Sequence, residues 1–181
     1  RKYWDPKFGQ LALITRDQKS GTRTEPLRIA GIKVGDAICF DVAYDDVLPA
    51  QVREGAELLA VQTSNASFIF THQIEQQFAT TRMRALEAGR WLTVASTNGR
   101  SGVIAPDGSV VATAPIREPA VLVEQVGLAT ELTPATRLGA WPTRLFTVMT
   151  LGALAAGVVA YRRRRDVAGP APVPARETAD A

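Results

Sequence analysis

The chain has 181 residues, of which 46% are hydrophobic and 22% charged, with one cysteine and one histidine. This length and composition suit one folded domain with appendages. A single cysteine excludes an intrachain disulfide, and a lone histidine beside it disfavours a zinc site built by the protein. Because Arg162 to Arg165 supply four of the positive charges behind a net charge of +3, the remainder is nearly neutral, which argues against a nucleic-acid binder.

The first regular feature that the sequence predicts is a β-hairpin leading to the cysteine. Leu27 to Ile29 and Ile32 to Val34 flank the turn residues Ala30-Gly31. This hairpin leads into a strand that ends at Cys39. A thiol at the end of a strand can be activated as a nucleophile by main-chain N–H groups and polar neighbours. The alternative is that Cys39 is a small buried hydrophobe, which is the commoner use of a lone cysteine.

The middle of the chain alternates between helical and strand patterns. The sequence predicts a short helix over 47–54 stopped by Gly55, a buried strand over 57–62 and a longer helix over 71–90. The polar residues 63–67 directly follow the buried strand. Open α/β sheets bind ligands at the carboxyl ends of their strands, although such residues also form ordinary turns.

Hairpins follow the longer helix. Strands are predicted at 91–96, at 102–105, up to Ala114 and, from its alternating pattern, at 120–126, with turns at Asn98-Gly99 and at 106–108. Interleaved helices and strands that end in hairpins indicate an α/β domain.

The last part of the chain has the pattern of a membrane span. Leu145 to Tyr161 contains no charged residue, Trp141 precedes it and four arginines follow at once. These features favour a transmembrane helix over a buried helix of a soluble protein. The positive-inside rule then places 162–181 in the cytoplasm and the folded domain on the opposite side. We therefore divide the chain into a folded domain (1–143), a transmembrane helix (144–161) and a basic, then disordered tail (162–181).

Five segments, in this order, resemble the apolipoprotein N-acyltransferases, bacterial membrane enzymes with an extracytoplasmic domain of the nitrilase (carbon–nitrogen hydrolase) superfamily. They are ICFD (38–41), GAELLAVQTSNASF (55–68), RMRALEAGR (82–90), STNGRSGVIAPDG (96–108) and LTPATRLGAWP (132–142). The last of them, followed by a span, narrows the resemblance to this branch of the superfamily. The resemblance implies an α/β fold, namely part of a nitrilase-like αββα sandwich followed by one C-terminal transmembrane helix.

The resemblance also implies an activity that uses a Glu-Lys-Cys triad and no cofactor or metal. The cysteine takes a fatty acyl chain from a phospholipid as a thioester and passes it to the free amine of a diacylglyceryl-cysteine lipoprotein. Cys39 matches the nucleophile. Asp41 falls where the family commonly has a glutamate, so it is either a supporting carboxylate or an ordinary acid at a strand end.

The chain departs from the family pattern before the cysteine. The glutamate and lysine of the triad are expected upstream, and no segment like the family's LVPFGE occurs here. The surroundings of Lys2, Lys7, Lys19 and Lys33 do not match, so none of them is assigned the lysine role. Since the first residue is Arg1 rather than methionine, we expect this sequence to be the C-terminal portion of a longer protein.

Substrate contacts are predicted within the polar stretch 63–67 and directly after it. Ser64 and Asn65 either line the pocket beside the cysteine or only form a turn. Phe68 and Phe70, on either side of Ile69, either enter lipid and receive acyl chains or are buried under the domain. Two rival functions stay open, namely an amidase of the same superfamily and a non-catalytic, membrane-anchored remnant.

Overall fold

The structure is a computed structural model. It describes residues 21, 22 and 24–168, and at 165–168 it describes the backbone alone. The predicted disordered tail therefore lies mostly outside the described residues, as do Lys2, Lys7 and Lys19. The described part of the chain forms six strands and four α-helices in the order β1 (Leu27–Ile29), β2 (Ile32–Ile38), α1 (Val47–Arg53), β3 (Leu58–Thr63), α2 (Gln73–Ala88), β4 (Leu92–Ser96), β5 (Gly102–Ile104), β6 (Val110–Thr113), α3 (Pro134–Leu138) and α4 (Trp141–Ala168).

The strands form one mixed sheet in the order β1-β2-β3-β4-β5-β6. The central strands β2, β3 and β4 are parallel, with Ala37 opposite Val61 and Val61 opposite Val94. Antiparallel hairpins flank them at both edges. The α/β fold predicted from the sequence is confirmed, and the parallel centre brings the carboxyl ends of three strands to one edge.

Both helices between the parallel strands end where the sequence predicts. Gly55, just after α1, has φ +93°, and Gly89, which ends α2, has φ +62°. The N–H of Gly55 donates to the carbonyl of Val52, and that of Gly89 donates to the carbonyl of Leu86. Glycine adopts this left-handed conformation without a steric penalty, so both helices stop at these residues.

Helices α1 and α2 cover one face of the sheet and form the core with it. Alternate residues of the strands point to this face, and they pack with apolar residues of both helices. The buried cluster contains Ala37, Val42, Leu48, Val52, Ala56, Leu59, Val61, Phe78, Ala85, Ala88, Leu92, Val94 and Ile104. The other face carries Asp36, Gln62 and Thr93, which are only partly buried or exposed.

The strand predicted at 120–126 is wrong. The residues after β6 run as an irregular segment to α3, and the structure assigns no strand there. Leu122 is partly buried, whereas Val121 and Val123 are 87% and 86% exposed. The alternation that indicated a strand is therefore present, but the structure describes no backbone pairing of 120–126 with a strand.

Arg90 connects this segment to the end of α2. Its side chain is buried and donates from Nε to the carbonyl of Ala56 at 2.9 Å and from Nη1 to that of Glu131 at 2.7 Å. Burial lowers the pKa of Arg90, and the charges of Glu131 and Glu57 oppose the shift only in part. Arg90 thus fixes the path of the chain towards α3.

The last helix extends away from the packed part of the structure. Within α4, Trp141–Arg164 is long and apolar enough to cross a membrane, since an 18-residue window in it has a mean hydropathy of 1.6, and none of that window is buried. The helix begins before the predicted span and continues through the arginines. The division of the chain into a folded domain, a span and a tail stays a prediction.

Candidate active site

Cys39 lies where β2 gives way to a single turn of 3₁₀ helix, Cys39–Ala43. Its backbone has φ +54°, a left-handed conformation that non-glycine residues rarely adopt. The chain therefore bends sharply at the cysteine instead of extending the strand. The prediction that Cys39 marks the end of a strand is confirmed.

An open cleft of about 850 Å³ lies over the uncovered face of the sheet at the carboxyl ends of β2, β3 and β4. Cys39 contributes to its wall together with hydroxyl, amide and small apolar side chains. The lining residues are Ile38, Cys39, Gln62, Thr63, Ser64, Thr93, Val94, Ala95, Ser96, Thr97, Ser101, Gly102, Val103, Ala114, Ala120 and Leu122. Among these described lining residues there is no carboxylate, amine or imidazole.

Ser64 and Thr97 extend the edge of the cleft beyond the strand ends. The Thr97 N–H donates to the Thr63 carbonyl at 3.2 Å, and the Asn98 N–H donates to the Ser64 carbonyl at 3.0 Å. The Thr97 hydroxyl also donates to the Ser64 carbonyl at 3.1 Å. Ser64, predicted to contact substrate, is thus exposed on the wall that also carries Cys39.

Asn65 lies behind this wall, and its side chain is engaged within the protein. It is 4% exposed and left-handed, with φ +56°. Its Oδ1 accepts hydrogen bonds from Ser96 Oγ at 2.9 Å and from Thr63 Oγ1 at 3.2 Å, while its Nδ2 donates to Gln77 Oε1. These bonds join the ends of β3 and β4 to α2.

Asp41 closes the turn that Cys39 begins. Its Oδ2 accepts a hydrogen bond from the N–H of Ile38 at 3.2 Å, three residues back along the chain. It does not belong to the described lining of the cleft. Its geometry in this structure is that of a carboxylate that holds the turn.

Arg84 holds the far end of the same turn from α2. Its guanidinium donates to the carbonyl of Val42 at 2.8 Å and to that of Ala43 at 3.1 Å, and it forms ion pairs with Asp45 and Glu87, each at 2.6 Å. Burial by itself lowers the pKa of Arg84, but the hydrogen bonds and charges of Asp45 and Glu87 outweigh it and raise the pKa. Arg84 therefore stays charged and keeps the turn in place.

Phe68 and Phe70 do not line the cleft. Phe68 is 41% exposed and Phe70 is 92% exposed, with the Arg117 guanidinium 5.3 Å from the centre of the Phe70 ring. Burial under the domain, the alternative use considered for these residues, is wrong. The loop between β3 and α2 instead presents two aromatic rings at the surface.

Lys33 lies near the opposite end of β2 from the cysteine. Its Nζ donates to the carbonyl of Glu54 at 3.2 Å. Five residues of extended strand lie between Lys33 and Cys39, which puts the two residues about 20 Å apart. Lys33 therefore has no access to the thiol.

The sequence did not predict a role for Gln77, whose Nε2 donates to the Cys39 carbonyl at 2.7 Å. One signal for it exists, since Gln77 is an amide within the stripe of α2 that also carries Phe78, Thr81 and Ala85 on its buried side. A polar side chain in such a position needs a partner inside the protein. The residues next to Gln77 in the sequence do not show which group that partner is, because Cys39 lies 38 positions away.

Comparison with known proteins places this chain in a family. The model of the carbon–nitrogen hydrolase family matches residues 1–131. An apolipoprotein N-acyltransferase of Mycolicibacterium smegmatis is 40% identical over 119 residues, which is 66% of this chain and 20% of that protein. The enzyme of the same name from Ralstonia nicotianae is 35% identical over 143 residues, covering 77% of this chain and 26% of that protein.

A third relative extends the match further along the chain. The apolipoprotein N-acyltransferase of Azotobacter vinelandii is 32% identical over 157 residues, or 86% of this chain and 29% of that protein. The chain thus spans between a fifth and less than a third of the length of these curated relatives.

Proposed function

This chain belongs to the carbon–nitrogen hydrolase family, and on that premise we propose that it is part of an apolipoprotein N-acyltransferase with Cys39 as the acyl carrier. One observation carries the proposal. The single cysteine stands at the carboxyl end of a central parallel strand, in a left-handed turn on the wall of an open cleft. Open α/β sheets bind ligands at this edge. The names of the relatives supply the substrate class.

The proposed chemistry proceeds in two acyl transfers. The thiolate of Cys39 attacks an ester carbonyl of a glycerophospholipid, the ester C–O bond breaks, and the lysophospholipid leaves after taking a proton. The free amine of a diacylglyceryl-cysteine lipoprotein then attacks the thioester carbonyl. The C–S bond breaks, an amide forms, the amine loses its proton and the thiol of Cys39 is regenerated.

Both steps need a general base for the proton and donors for the oxyanion. The described lining of the cleft offers hydroxyl groups but no base and no cation. We therefore expect Cys39 to be a weak nucleophile in this chain by itself. Asp41 supports the site in this proposal by holding the turn that carries the thiol.

Membrane attachment gives the thiol access to phospholipid. In this proposal α4 spans the bilayer, the arginines 162–165 and the tail lie in the cytoplasm, and the folded domain lies on the opposite side. The exposed rings of Phe68 and Phe70 then enter the lipid surface or receive an acyl chain, since aromatic rings are favoured at such interfaces.

The test is the intact mass of the native protein extracted from bacterial membranes, before and after hydroxylamine. We expect a fatty-acyl increment that hydroxylamine removes, because thioesters are labile to that reagent. The Cys39→Ala variant is the control, and it should lose the increment and all transfer to a lipoprotein amine.

The other outcomes separate the rival functions. A chain that never carries an acyl group contradicts the acyl-carrier role and leaves a non-catalytic, membrane-anchored protein. An acyl increment on Cys39 that is released to water, with no transfer to an added diacylglyceryl peptide, indicates a hydrolase of the same family.

A further inference from the structure

The backbone of Cys39 needs an external constraint. A cysteine at φ +54° has left the preferred regions of backbone space, and such residues persist when the surrounding structure holds them. The preceding residue, Ile38, is still registered with Gln62 in the sheet. The bend is thus confined to the cysteine, and it presents the thiol to the cleft.

Gln77 supplies a direct hold on this residue. Its Nε2 donates to the carbonyl oxygen of Cys39 at 2.7 Å, across 38 residues of sequence. The side chain is 8% exposed, and it does not belong to the described lining of the cleft. Gln77 therefore contacts the backbone of the nucleophile from behind, where substrate has no access.

Asn65 fixes which way the Gln77 amide points. Its Nδ2 donates to Gln77 Oε1, so the Gln77 NH₂ group is directed to the Cys39 carbonyl. Asn65 is itself held through Oδ1 by Ser96 Oγ at 2.9 Å. Position 99 beside Asn65 has room only for glycine, because a Cβ at Gly99 would lie 2.3 Å from Asn65 Oδ1.

We propose that Gln77 is a positioning residue that holds Cys39 in its left-handed conformation through a relay running from Ser96 through Asn65 to the cysteine carbonyl. The relay connects the ends of β2, β3 and β4 to α2, so the direction of the thiol is set by three strands at once. The proposal deepens the acyl-carrier role of Cys39, on which its biological meaning rests.

The test measures the rate at which iodoacetamide alkylates the full chain, with the adduct detected by intact mass. The reaction is run at several pH values and at a temperature well below the unfolding temperature. Cys39 is the single cysteine, so the adduct that is absent from a Cys39→Ala control reports on its thiol. In Gln77→Leu the carbonyl loses its donor and the turn relaxes towards an extended backbone. The thiol then turns away from the open cleft, and we expect alkylation about tenfold slower, because thiol reactivity depends on access.

Thr81→Val is the matched control. Thr81 lies one turn further along the same buried side of α2, and its hydroxyl donates to the Gln77 carbonyl at 2.8 Å within the helix. The substitution removes a buried hydroxyl and keeps the size of the side chain, and it leaves every side-chain hydrogen bond of the relay in place. It should lower the unfolding temperature and leave the alkylation rate at the wild-type value.

Gln77→Glu is the second variant, for the case in which Gln77→Leu does not fold. Glutamate keeps the shape and still accepts from Asn65, but its carboxylate cannot donate to the Cys39 carbonyl, so alkylation should again be slow. Folded Gln77 variants that react at the wild-type rate overturn the proposal, as does an equal slowing in Thr81→Val. Alkylation requires neither phospholipid nor lipoprotein, so failure of the acyltransferase proposal would leave this result intact.

Discussion

The face of the sheet that α1 and α2 cover differs from the face that carries the cleft. The covered face presents Leu59, Val61 and Leu92, which are fully buried. The opposite face presents Gln62 and Ala95, which are exposed and line the cleft. Because successive side chains of a strand point to opposite faces, the same two strands, β3 and β4, supply both sets. The covered face stabilises the fold, and the other is left free to serve the site.

Among the substitutions that compare the two faces, Leu59→Ala should have the largest effect on stability. Leu59 is 0% exposed at the centre of the covered face, so truncation leaves a cavity and should cost about 2 to 5 kcal/mol of unfolding free energy. Urea unfolding of the full chain in detergent micelles, followed by tryptophan fluorescence, measures the loss. The control is Ala95→Ser on the cleft face, which should change stability by less than about 0.5 kcal/mol. Similar losses for both variants would show that the two faces are equally packed.

Gly35→Ala tests how closely the covered face is packed. A Cβ at Gly35 would lie 2.7 Å from Leu59 Cδ2 and 3.2 Å from the Cβ of Ala56, so one methyl group should cost about 1 to 3 kcal/mol in the same unfolding measurement. Gly21→Ala, where an added Cβ meets nothing within 4 Å, is the matched control and should leave the midpoint unchanged. A neutral Gly35→Ala would mean that the helices can shift away from the sheet.

Ser109→Ala should have the smallest effect, because it alters a turn that belongs to neither face. The Asp107 carboxylate accepts hydrogen bonds from the Ser109 hydroxyl at 2.6 Å and from its N–H at 2.8 Å, and these bonds lower the pKa of Asp107. Removing the hydroxyl should raise this pKa towards its ordinary value, as a carboxyl-carbon NMR titration can measure. An unchanged titration would mean that the backbone bond alone sets the pKa.

The sign of the associated pH effect follows from the lowered pKa. A carboxyl with a lowered pKa in the folded state adds stability above its unfolded pKa, and that contribution is lost as the pH falls through the folded value. The pH window therefore lies at the acidic end, below the ordinary carboxyl range. Ser109→Ala should narrow that window, and because the contribution is fully present at neutral pH, the substitution should also remove part of it there.

Much of the fold could be predicted because its signals are local. The hairpin before Cys39, the helix ending at Gly89 and the order of the central strands follow from periodicity and from turn residues a few positions apart. The same reasoning failed at 120–126, where an alternating pattern has no strand beside it. Alternation reports which side chains can be buried on one side, whereas a strand also needs a partner for its backbone.

The sequence alone determined the position of the thiol, at the end of a strand and in a family pattern, together with the apolar stretch that α4 contains. The tertiary structure decided how that thiol is held. Gln77 lies 38 positions along the chain from Cys39, Arg84 lies 42 positions from Val42, and Asn65 meets Ser96 across 31 residues. A buried polar group must find a partner wherever the fold brings one, and that partner is set by the packing of α2 against the sheet rather than by neighbouring residues in the chain.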